Sequence, residues 1–429
     1  MAREMKDSGI EWIGEIPIGW GTPKIINRFD FIGSGTTPRT YEDNYYVDGE
    51  INWIQSGDLH DKYLISTSKK ITQMAFDRTS ALKMYFPQYL VMAMYGASVG
   101  NLSIATIEAC TNQACCVLTG EKDNLKYMYY VLMAAKEYLV YSAIGGTQPN
   151  ISQNVIKNLK IPIPMIVEQQ KIADVLDKKF EELDNVLEKT RASIEEYKKL
   201  KQALIAQAVT KGIRGDREMK DSGIEWNDKI PAEWDGMNPK ALFRQRKDKA
   251  FEGEKQLTAS QQHGIMFQSD YMELTGTKVV TVEKDFDILK HVEAGDFVIS
   301  MRSFQGGLEY SELSGSISSA YVMLVPNLEL VYPRFYRWLL KSEVYIRALQ
   351  STSNMVRDGQ AMRYSNFSQV RLYTVPLEEQ EEIAQYLDEK CKIIDNLITK
   401  KEQYLSEIEN YKKSLIYEYV TGKKEVPQE

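Results

Sequence analysis

The sequence predicts an α+β chain in which two globular mixed α/β domains are separated by two long helices that form an antiparallel coiled coil. We expect this fold to be pseudo-twofold and near-circular. An eighteen-residue motif occurs twice, a 43-residue segment with helical periodicity occurs twice, and the stretches between the repeats resemble each other only faintly. A chain of 429 residues is also too long for one ordinary core. Self-similarity at a fixed spacing therefore organises the molecule.

The first repeat is a short motif, which we call the constant motif and which precedes each globular domain. Residues 3–20 read REMKDSGIEWIGEIPIGW and residues 217–234 read REMKDSGIEWNDKIPAEW. The copies share thirteen identities in eighteen positions at a shift of 214 residues. Constant segments thus alternate with divergent ones. This suggests that the two domains do the same job on different targets, while the repeats bind something common to both.

The second repeat is a long helix. Residues 168–210 align without gaps to residues 379–421 at a shift of 211, with sixteen identities in 43 positions. Alternating steps of four and three residues form a heptad seam in each copy. The seams are Leu176, Phe180, Leu183, Leu187, Thr190, Ile194, Tyr197, Lys201, Leu204 and Ala208, then Leu387, Cys391, Ile394, Ile398, Lys401, Leu405, Ile408, Lys412, Leu415 and Tyr419.

The two seams favour pairing of the helices with each other. Both carry polar residues at the same two steps, Thr190 with Lys401 and Lys201 with Lys412, and polar seam residues fix register. Such a helix of about 42 residues is a rod of roughly 60 Å. The alternative is that each helix packs only on its own domain.

Proline and glycine mark the predicted helix ends. Pro164 and Pro376 precede the helices, and Gly212 and Gly422 follow them. The second helix should end beside the first constant motif, which would bring the chain termini together. The predicted domains, each with its constant motif, are residues 1–165 and 215–377, and the repeated helices are residues 166–214 and 378–429.

The globular domains carry candidate contact residues in loops that follow strands. One strand ends at Tyr95 and enters a glycine loop with Ser98 and Asn101, and an equivalent strand enters a loop with Arg302 and Ser303. Such residues can reach a base edge or a phosphate, since Arg suits guanine and Asn or Gln suits adenine. For each, the alternative is a solvated turn. The other candidates are Arg39, Gln148, Asn150, Arg244, Arg246, Gln261, Gln262, His263 and Arg363.

Composition argues against several classes of protein. The net charge of −7 opposes a nucleic-acid partner, but residues 377–429 hold thirteen Asp and Glu against eight Lys and Arg and so supply −5 of it. No apolar run could span a bilayer and the N-terminus is not a secretory signal, so we expect a soluble, cytoplasmic protein. The four cysteines and three histidines lack zinc-ligand spacing. We interpret the cysteines as reduced packing residues.

Catalytic motifs are missing from the sequence. No Pro-Pro pair exists for a loop that holds a flipped adenine, and no GxxxxGK[ST] phosphate loop exists for ATP. We therefore expect no catalytic residue, no metal ion and no cofactor in this chain.

The order of these motifs resembles that of one known family. The constant motif, the stretches WIQSGDL at residues 53–59 and GDFVISMR at residues 295–302, the proline-then-EQ approach to each helix and the repeated helices are similar to those of type I restriction-modification specificity subunits. The resemblance covers the whole chain. It implies that the globular domains are target-recognition domains, each reading one half of a bipartite site in double-stranded DNA. It also implies that the helices set the spacer between the half-sites.

The resemblance further implies partner proteins. Two modification (methyltransferase) subunits would hold S-adenosylmethionine, and restriction (translocase and nuclease) subunits would use ATP and Mg. The repeated helices would bind both, and this chain would be their non-catalytic subunit. The competing interpretation is a coiled-coil protein-binding scaffold or decoy without DNA binding, which the acidity slightly favours.

Overall fold

The computed structural model describes residues 3–142, 150–279, 288–300, 303–352 and 362–427. In the first half of the chain the strands are β1 (Met5–Asp7), β2 (Glu15–Pro17), β3 (Phe31–Ser34), β4 (Ile51–Ile54), β5 (Tyr63–Leu64), β6 (Lys70–Ile71), β7 (Tyr89–Ala93), β8 (Leu102–Ala105), β9 (Cys110–Thr111) and β10 (Cys115–Thr119). The helices are α1 (Gln73–Arg78), α2 (Leu125–Ala134), α3 (Lys136–Tyr141), α4 (Gln153–Asn158) and α5 (Ile166–Lys211).

The second half repeats this succession. Its strands are β11 (Met219–Ile224), β12 (Asn227–Pro231), β13 (Asp235–Met237), β14 (Phe243–Arg246), β15 (Leu257–Ser260), β16 (Gly264–Phe267), β17 (Lys290–Val292), β18 (Phe297–Ile299), β19 (Glu309–Tyr310), β20 (Gly315–Ile317), β21 (Val322–Pro326) and β22 (Leu372–Thr374). Its helices are α6 (Pro239–Leu242), α7 (Gln268–Thr275), α8 (Ser303–Gly306), α9 (Pro333–Leu340), α10 (Glu343–Ser351), α11 (Tyr364–Gln369) and α12 (Leu377–Val420).

The chain folds into two compact units. Unit 1 is Met1–Thr190 with Gln403–Glu429, and unit 2 is Arg191–Glu402. Each unit therefore contains one constant motif, one globular domain, the N-terminal half of the long helix that follows this domain and the C-terminal half of the other long helix.

Each unit has its own central sheet, and the two sheets have a similar strand order. The order is β3-β10-β7-β8-β5 in unit 1 and β14-β21-β18-β19 in unit 2, and the first four strands of each are antiparallel neighbours. The strands β7 and β18 hold the same place, as the sequence predicts. Every residue of both is buried. In β7 alternate residues enter two different apolar clusters, because both faces of the sheet are covered.

The constant motif forms a hairpin in both units, and its first three residue pairs correspond. Met5 pairs with Pro17 in the β1–β2 hairpin, and Met219 pairs with Pro231 in the β11–β12 hairpin, both at the 214-residue shift. In each turn a glycine with φ between +62° and +65° donates its N–H to the aspartate two residues earlier. The repeated sequence thus gives the same register over these three pairs.

In unit 1, one glutamate fastens the hairpin to the start of the long helix. The indole Nε1 of Trp20 donates to Oε2 of Glu168 at 3.1 Å, and Arg3 pairs with Oε1 of Glu168 at 2.7 Å. The guanidinium of Arg3 also lies over the Trp20 ring, 5.2 Å from its centroid. We call this trio the Arg–Trp–Glu latch.

The same latch recurs in unit 2. Nε1 of Trp234 donates to Oε2 of Glu379 at 3.0 Å, and Arg217 donates to both oxygens of Glu379 while lying 5.8 Å from the Trp234 ring centroid. Here the Glu379 side chain is 1% exposed, whereas that of Glu168 is 25% exposed. The second latch is therefore the more dehydrated one.

The glutamine after each latch glutamate serves the globular domain. Gln169 donates to the carbonyl of Pro164 and accepts from the backbone N–H of Asn124, at the start of α2. Gln380 donates to the carbonyl of Val375 and accepts from the N–H of Tyr332, at the start of α9. Both glutamines are buried. The repeated Glu-Gln pair therefore joins hairpin, helix and domain in each unit.

The long helices pair antiparallel within each unit. In unit 1, Lys412 of α12 lies over the Phe180 ring and pairs with Asp184 at 2.7 Å, while Leu415 shares a core with Leu176. Residue numbers thus rise on one helix as they fall on the other. The alternative, in which each helix packs only on its own domain, is wrong for this unit.

Unit 2 pairs its helix halves in the same way. Lys401 lies over the Tyr197 ring, Lys201 pairs with Asp395 at 2.7 Å, and Ala208 shares a core with Ala384. The ion pairs of the two units correspond to each other at the 211-residue shift. Every predicted seam residue in both helices is buried or half-buried, which confirms the heptad register.

The helix ends also lie where the sequence predicts. Gly212 and Gly422 follow α5 and α12 in left-handed conformation, with φ of +75° and +71°. In unit 1, Lys423 and Tyr417 donate to the carbonyl of Ile13 at 3.1 and 2.8 Å. The end of the second helix therefore lies beside the first constant motif.

We expect Glu379→Ala to destabilise unit 2 by about 2–3 kcal/mol, because it removes the buried acceptor of the Trp234 N–H and leaves Arg217 with only the exposed Glu233 as an ion-pair partner. Glu168→Ala is the matched control in unit 1. It should cost only about 1 kcal/mol, since that latch is more exposed to water. Urea unfolding of both variants measures the difference. Equal losses would mean that burial does not set the strength of the latch.

Candidate nucleic-acid interface

Four strand ends meet at one end of the unit 1 sheet. The strands β3 and β7 finish there, since the start of β10 pairs with the last residue of each, and β8 begins there. Arg39 lies in the loop that leaves β3, and Tyr95 and Ser98 lie in the loop that leaves β7. Asn150 joins them through a backbone bridge to Tyr95. The fold thus brings together candidates that are far apart in sequence.

These residues differ in how much of them reaches solvent. Arg39 and Asn150 are exposed, whereas Tyr95 and Ser98 are half-buried. Burial raises the pKa of the Tyr95 hydroxyl, which therefore stays protonated as a hydrogen-bond donor. The Tyr95 ring packs against the main core of the unit. Arg39 and Asn150 are thus the better placed to reach a ligand.

The Asn101 amide is hydrogen-bonded inside the protein. Its Nδ2 donates to the carbonyl of Leu59 at 2.8 Å, and its Oδ1 accepts from Lys136 at 2.8 Å. Lys136 also pairs with Asp61 at 2.6 Å. The side chain anchors the β7 loop, and its contact with a base stays a prediction.

The sequence candidates omitted three polar residues at the same end of the sheet. Thr37 donates to Oε1 of Gln113 at 2.6 Å, and Gln153 donates to Ser34 at the end of β3 at 2.7 Å. A Cβ at Gly35 would lie 1.8 Å from the carbonyl oxygen of Thr111. The signal for this close approach was the glycine within SGTTPRT, but its partner strand could not be read from sequence.

In unit 2 the corresponding loop leaves β18 and enters α8. Ser303 is fully buried and its Oγ accepts from the N–H of Ser300 at 2.9 Å. This hydroxyl shapes the turn, and its contact with DNA stays a prediction. Arg302 lies outside the described residues.

A second loop lies against α8. Gln261, Gln262 and His263 form the exposed turn of the β15–β16 hairpin. The hairpin approaches α8 so closely that a Cβ at Gly306 would lie 2.9 Å from the Gln261 side chain. The His263 ring meets Tyr271 edge to face with centroids 6.4 Å apart. These three candidates therefore lie beside the β18 loop.

The edge strand β14 and its continuation are basic. Arg244, Lys247 and Lys249 are exposed, and sequence reasoning named only the first of them. Arg246 is different, since it pairs with Asp296 at 2.6 Å and with Asp248 at 3.1 Å. Its hydrogen bond to Asp296 raises the pKa of the guanidinium. Arg246 therefore forms structural ion pairs, and its contact with DNA stays a prediction.

The remaining candidates are Arg363 and Gln148. Arg363 is exposed at the start of α11, where its N–H donates to Asn366 at 3.1 Å. No contact in the structure joins it to the hairpin turn or to β14 among the described residues. Gln148 lies outside the described residues.

Comparison with known proteins shows a similarity to one family. Residues 17–196 match the type I restriction modification DNA specificity domain. The putative type I restriction enzyme MjaX specificity subunit of Methanocaldococcus jannaschii is 26% identical over 69% of this chain and 67% of its own length. The EcoBI specificity subunit of Escherichia coli is 22% identical over 79% of this chain and 74% of its own length. Over these stretches the chain is similar to type I restriction-modification specificity subunits.

Solved structures agree at the level of the fold. A chain from a type I R-M system studied for complex assembly and conformational transition has a TM-score of 0.71 at 15% identity, covering 95% of this chain and 99% of that one. The HsdS subunit from Thermoanaerobacter tengcongensis has a TM-score of 0.53 at 15% identity, covering 95% and 98%. The chain therefore shares the fold of these structures although the sequences are only 15% identical.

The cysteines of this chain serve packing. All four are free and buried, and burial raises the pKa of the Cys110 and Cys116 thiols to about 12. Within the described ranges, His, Cys, Asp and Glu form no cluster of three or more that could hold a metal ion. The same residues include no helix long and apolar enough to cross a bilayer.

We expect Gly35→Ala to destabilise unit 1 by more than about 2 kcal/mol, because the new methyl group meets the Thr111 carbonyl and must push two loops apart. Gly57→Ala is the control, since a Cβ there meets nothing within 4 Å. Thermal unfolding of both variants checks this. A Gly35→Ala variant as stable as wild type would show that the loop after β3 is not held against Thr111 of β9.

Proposed function

We propose that each unit of this specificity subunit reads one half of a bipartite double-stranded DNA site. One observation carries the proposal. The two units repeat the same hairpin, latch, sheet and helix pairing, but the loops at the reading end of the sheet have different residues. A constant frame with two different sets of loops is suited to one task performed on two sequences.

Phosphate contacts in the second half-site would come from the basic edge strand. Arg244, Lys247 and Lys249 are exposed, and none of them makes a side-chain ion pair among the described residues. The Gln261–His263 turn would supply contacts to bases, since amide side chains suit adenine. In the first half-site, Arg39, Asn150 and Gln113 have the corresponding exposure. Local basic surface thus offsets a net charge that the acidic tail dominates.

The helices would set the spacer and bind partner subunits. Exposed apolar residues recur on them at the 211-residue shift. Val186 and Leu397 are 37% and 36% exposed, and Leu200 and Tyr411 are 51% and 49% exposed. These residues lie outside the seam, and matched apolar positions on two helices suit two copies of one partner.

The chemistry would belong to those partners. S-adenosylmethionine would be held by two modification subunits, and ATP with Mg by restriction subunits. The chain itself would position them on DNA without catalysing a step.

Replacing residues 21–165 by another target-recognition domain should change one half-site and keep the other, because the latch and helices that frame the domain are retained. Long-read methylation profiling of cells that express the three subunits measures this. Retention of both original half-sites would contradict the two-reader proposal. Methylation without any sequence preference would favour the scaffold interpretation.

Lys247→Ala with Lys249→Ala should make DNA binding less dependent on salt. Each phosphate contact contributes about 0.9 to the slope of log K against log salt, so the slope should fall by about two in magnitude. Lys199→Ala, exposed on α5, is the control and should leave the slope unchanged. Titration of the complex with its modification subunits at several salt concentrations gives the slope. An unchanged slope in the double variant would remove the segment after β14 from the interface.

A further inference from the structure

Two clefts occur at equivalent places in the two units. In unit 1 a cleft of about 370 Å³ lies between the turn of the first constant motif and the helices α3 and α4. In unit 2 a cleft of about 740 Å³ lies between the turn of the second constant motif and the helices α10 and α11. We call them the twin clefts.

The constant sides of the twin clefts match residue by residue. One side is the sequence Gly-Ile-Glu-Trp, at residues 9–12 and 223–226. The facing side is Asn158, Leu159 and Lys160 in unit 1, and Gln369, Val370 and Arg371 in unit 2, at the 211-residue shift. Each facing side thus has an amide, an apolar and a basic residue in the same order. The third wall comes from the divergent domain helices, which accounts for the different volumes.

Each cleft has an apolar floor and a rim of two opposite charges. The floor contains Trp12 or Trp226, which are half-buried. In unit 1 the rim has Glu11 and Lys160, both exposed. Its counterpart in unit 2 has Glu225, which is likewise exposed. Among the described residues, neither these side chains nor that of Arg371 makes an ion pair.

The internal structure does not account for these exposed charges. Asp7 and Asp221 are explained, because they accept the glycine N–H in the turn. The second strand of each hairpin has an exposed position at which the charge is not kept. This position is Glu15 in β2 and Lys229 in β12. Yet the rim glutamate is kept in both copies. The retained charge therefore points outward, to a partner that meets both clefts.

The chemistry of the rim indicates a protein partner. A DNA backbone would be repelled by the rim glutamate and would gain nothing from the tryptophan floor. A protein segment can place an apolar side chain on the indole while a basic and an acidic residue pair with the two sides of the rim. The Gly-Ile-Glu-Trp side is the same in both clefts and therefore favours the same kind of segment in each.

We propose that the twin clefts bind two copies of one partner protein, each through a segment that carries an apolar side chain between a basic and an acidic residue. Taking that partner as the modification subunit rests on the proposed function. The clefts are a contact separate from the exposed faces of the long helices. They would also place each partner copy against one target-recognition domain, because α3 and α10 form the third wall.

The test uses the full-length chain with purified modification subunit. Glu11→Arg should leave one normal site and weaken the other about tenfold, because the arginine repels the basic residue of the segment. Glu225→Arg should do the same at the other site, and the double variant should weaken both. Glu15→Arg in β2 and Lys229→Glu in β12 are matched controls, and both variants should bind the modification subunit as wild type does. Titration by mass photometry resolves complexes with one and two bound copies.

The possible outcomes separate the two proposals. Wild-type binding in the Glu11→Arg and Glu225→Arg variants would overturn the twin-cleft inference and leave the proposed function intact. Loss of DNA binding or of thermal stability, with partner binding unchanged, would overturn it too. A wild-type chain that fails to bind the modification subunit would overturn both.

Discussion

The rest of the structure depends on the Arg–Trp–Glu latch. A carboxylate at the start of each long helix accepts from an indole N–H and a guanidinium of the constant hairpin, at 3.1 and 2.7 Å in unit 1. A polar group taken out of water must keep its partners, so the hairpin, the helix start and the intervening domain are fixed together. The next residue, Gln169 or Gln380, extends the same junction into the domain. The latch thus explains why the Glu-Gln pair and the two tryptophans recur.

The frame that this junction holds leaves the reading loops free to differ. The loop after β7 is anchored by Lys136 through Asn101 and Asp61, whereas β19, the strand that follows the β18 loop, is anchored by Lys341 on buried Glu309. Different residues perform the same mechanical task because only the sheet and the helix behind it are shared. Sequence similarity between the domains is therefore faint although the strand order is the same. Two units of this kind can diverge in specificity without loss of fold.

Charge is distributed by role. On the helix seams, lysines meet aspartates across the pair, and partial exposure makes each ion pair worth only about 0.2–1 kcal/mol. These pairs contribute register more than stability. Arg246 is held by two aspartates, while Lys247 and Lys249 beside it reach solvent. The net negative charge therefore says little about the surface offered to DNA.

The sequence by itself determined the repeats, the heptad seam, the glycine-capped helix ends and the strand that enters each reading loop, because these depend on local periodicity and backbone conformation. The tertiary structure alone decided which candidate side chains are available. Asn101 and Arg246 have the right chemistry for DNA but bond to partners far away in the chain, and Ser303 is buried. The place of Gln113 at the end of the sheet and the twin clefts could not be predicted from the sequence, for the same reason. Their neighbours come from strands and helices that only folding brings together.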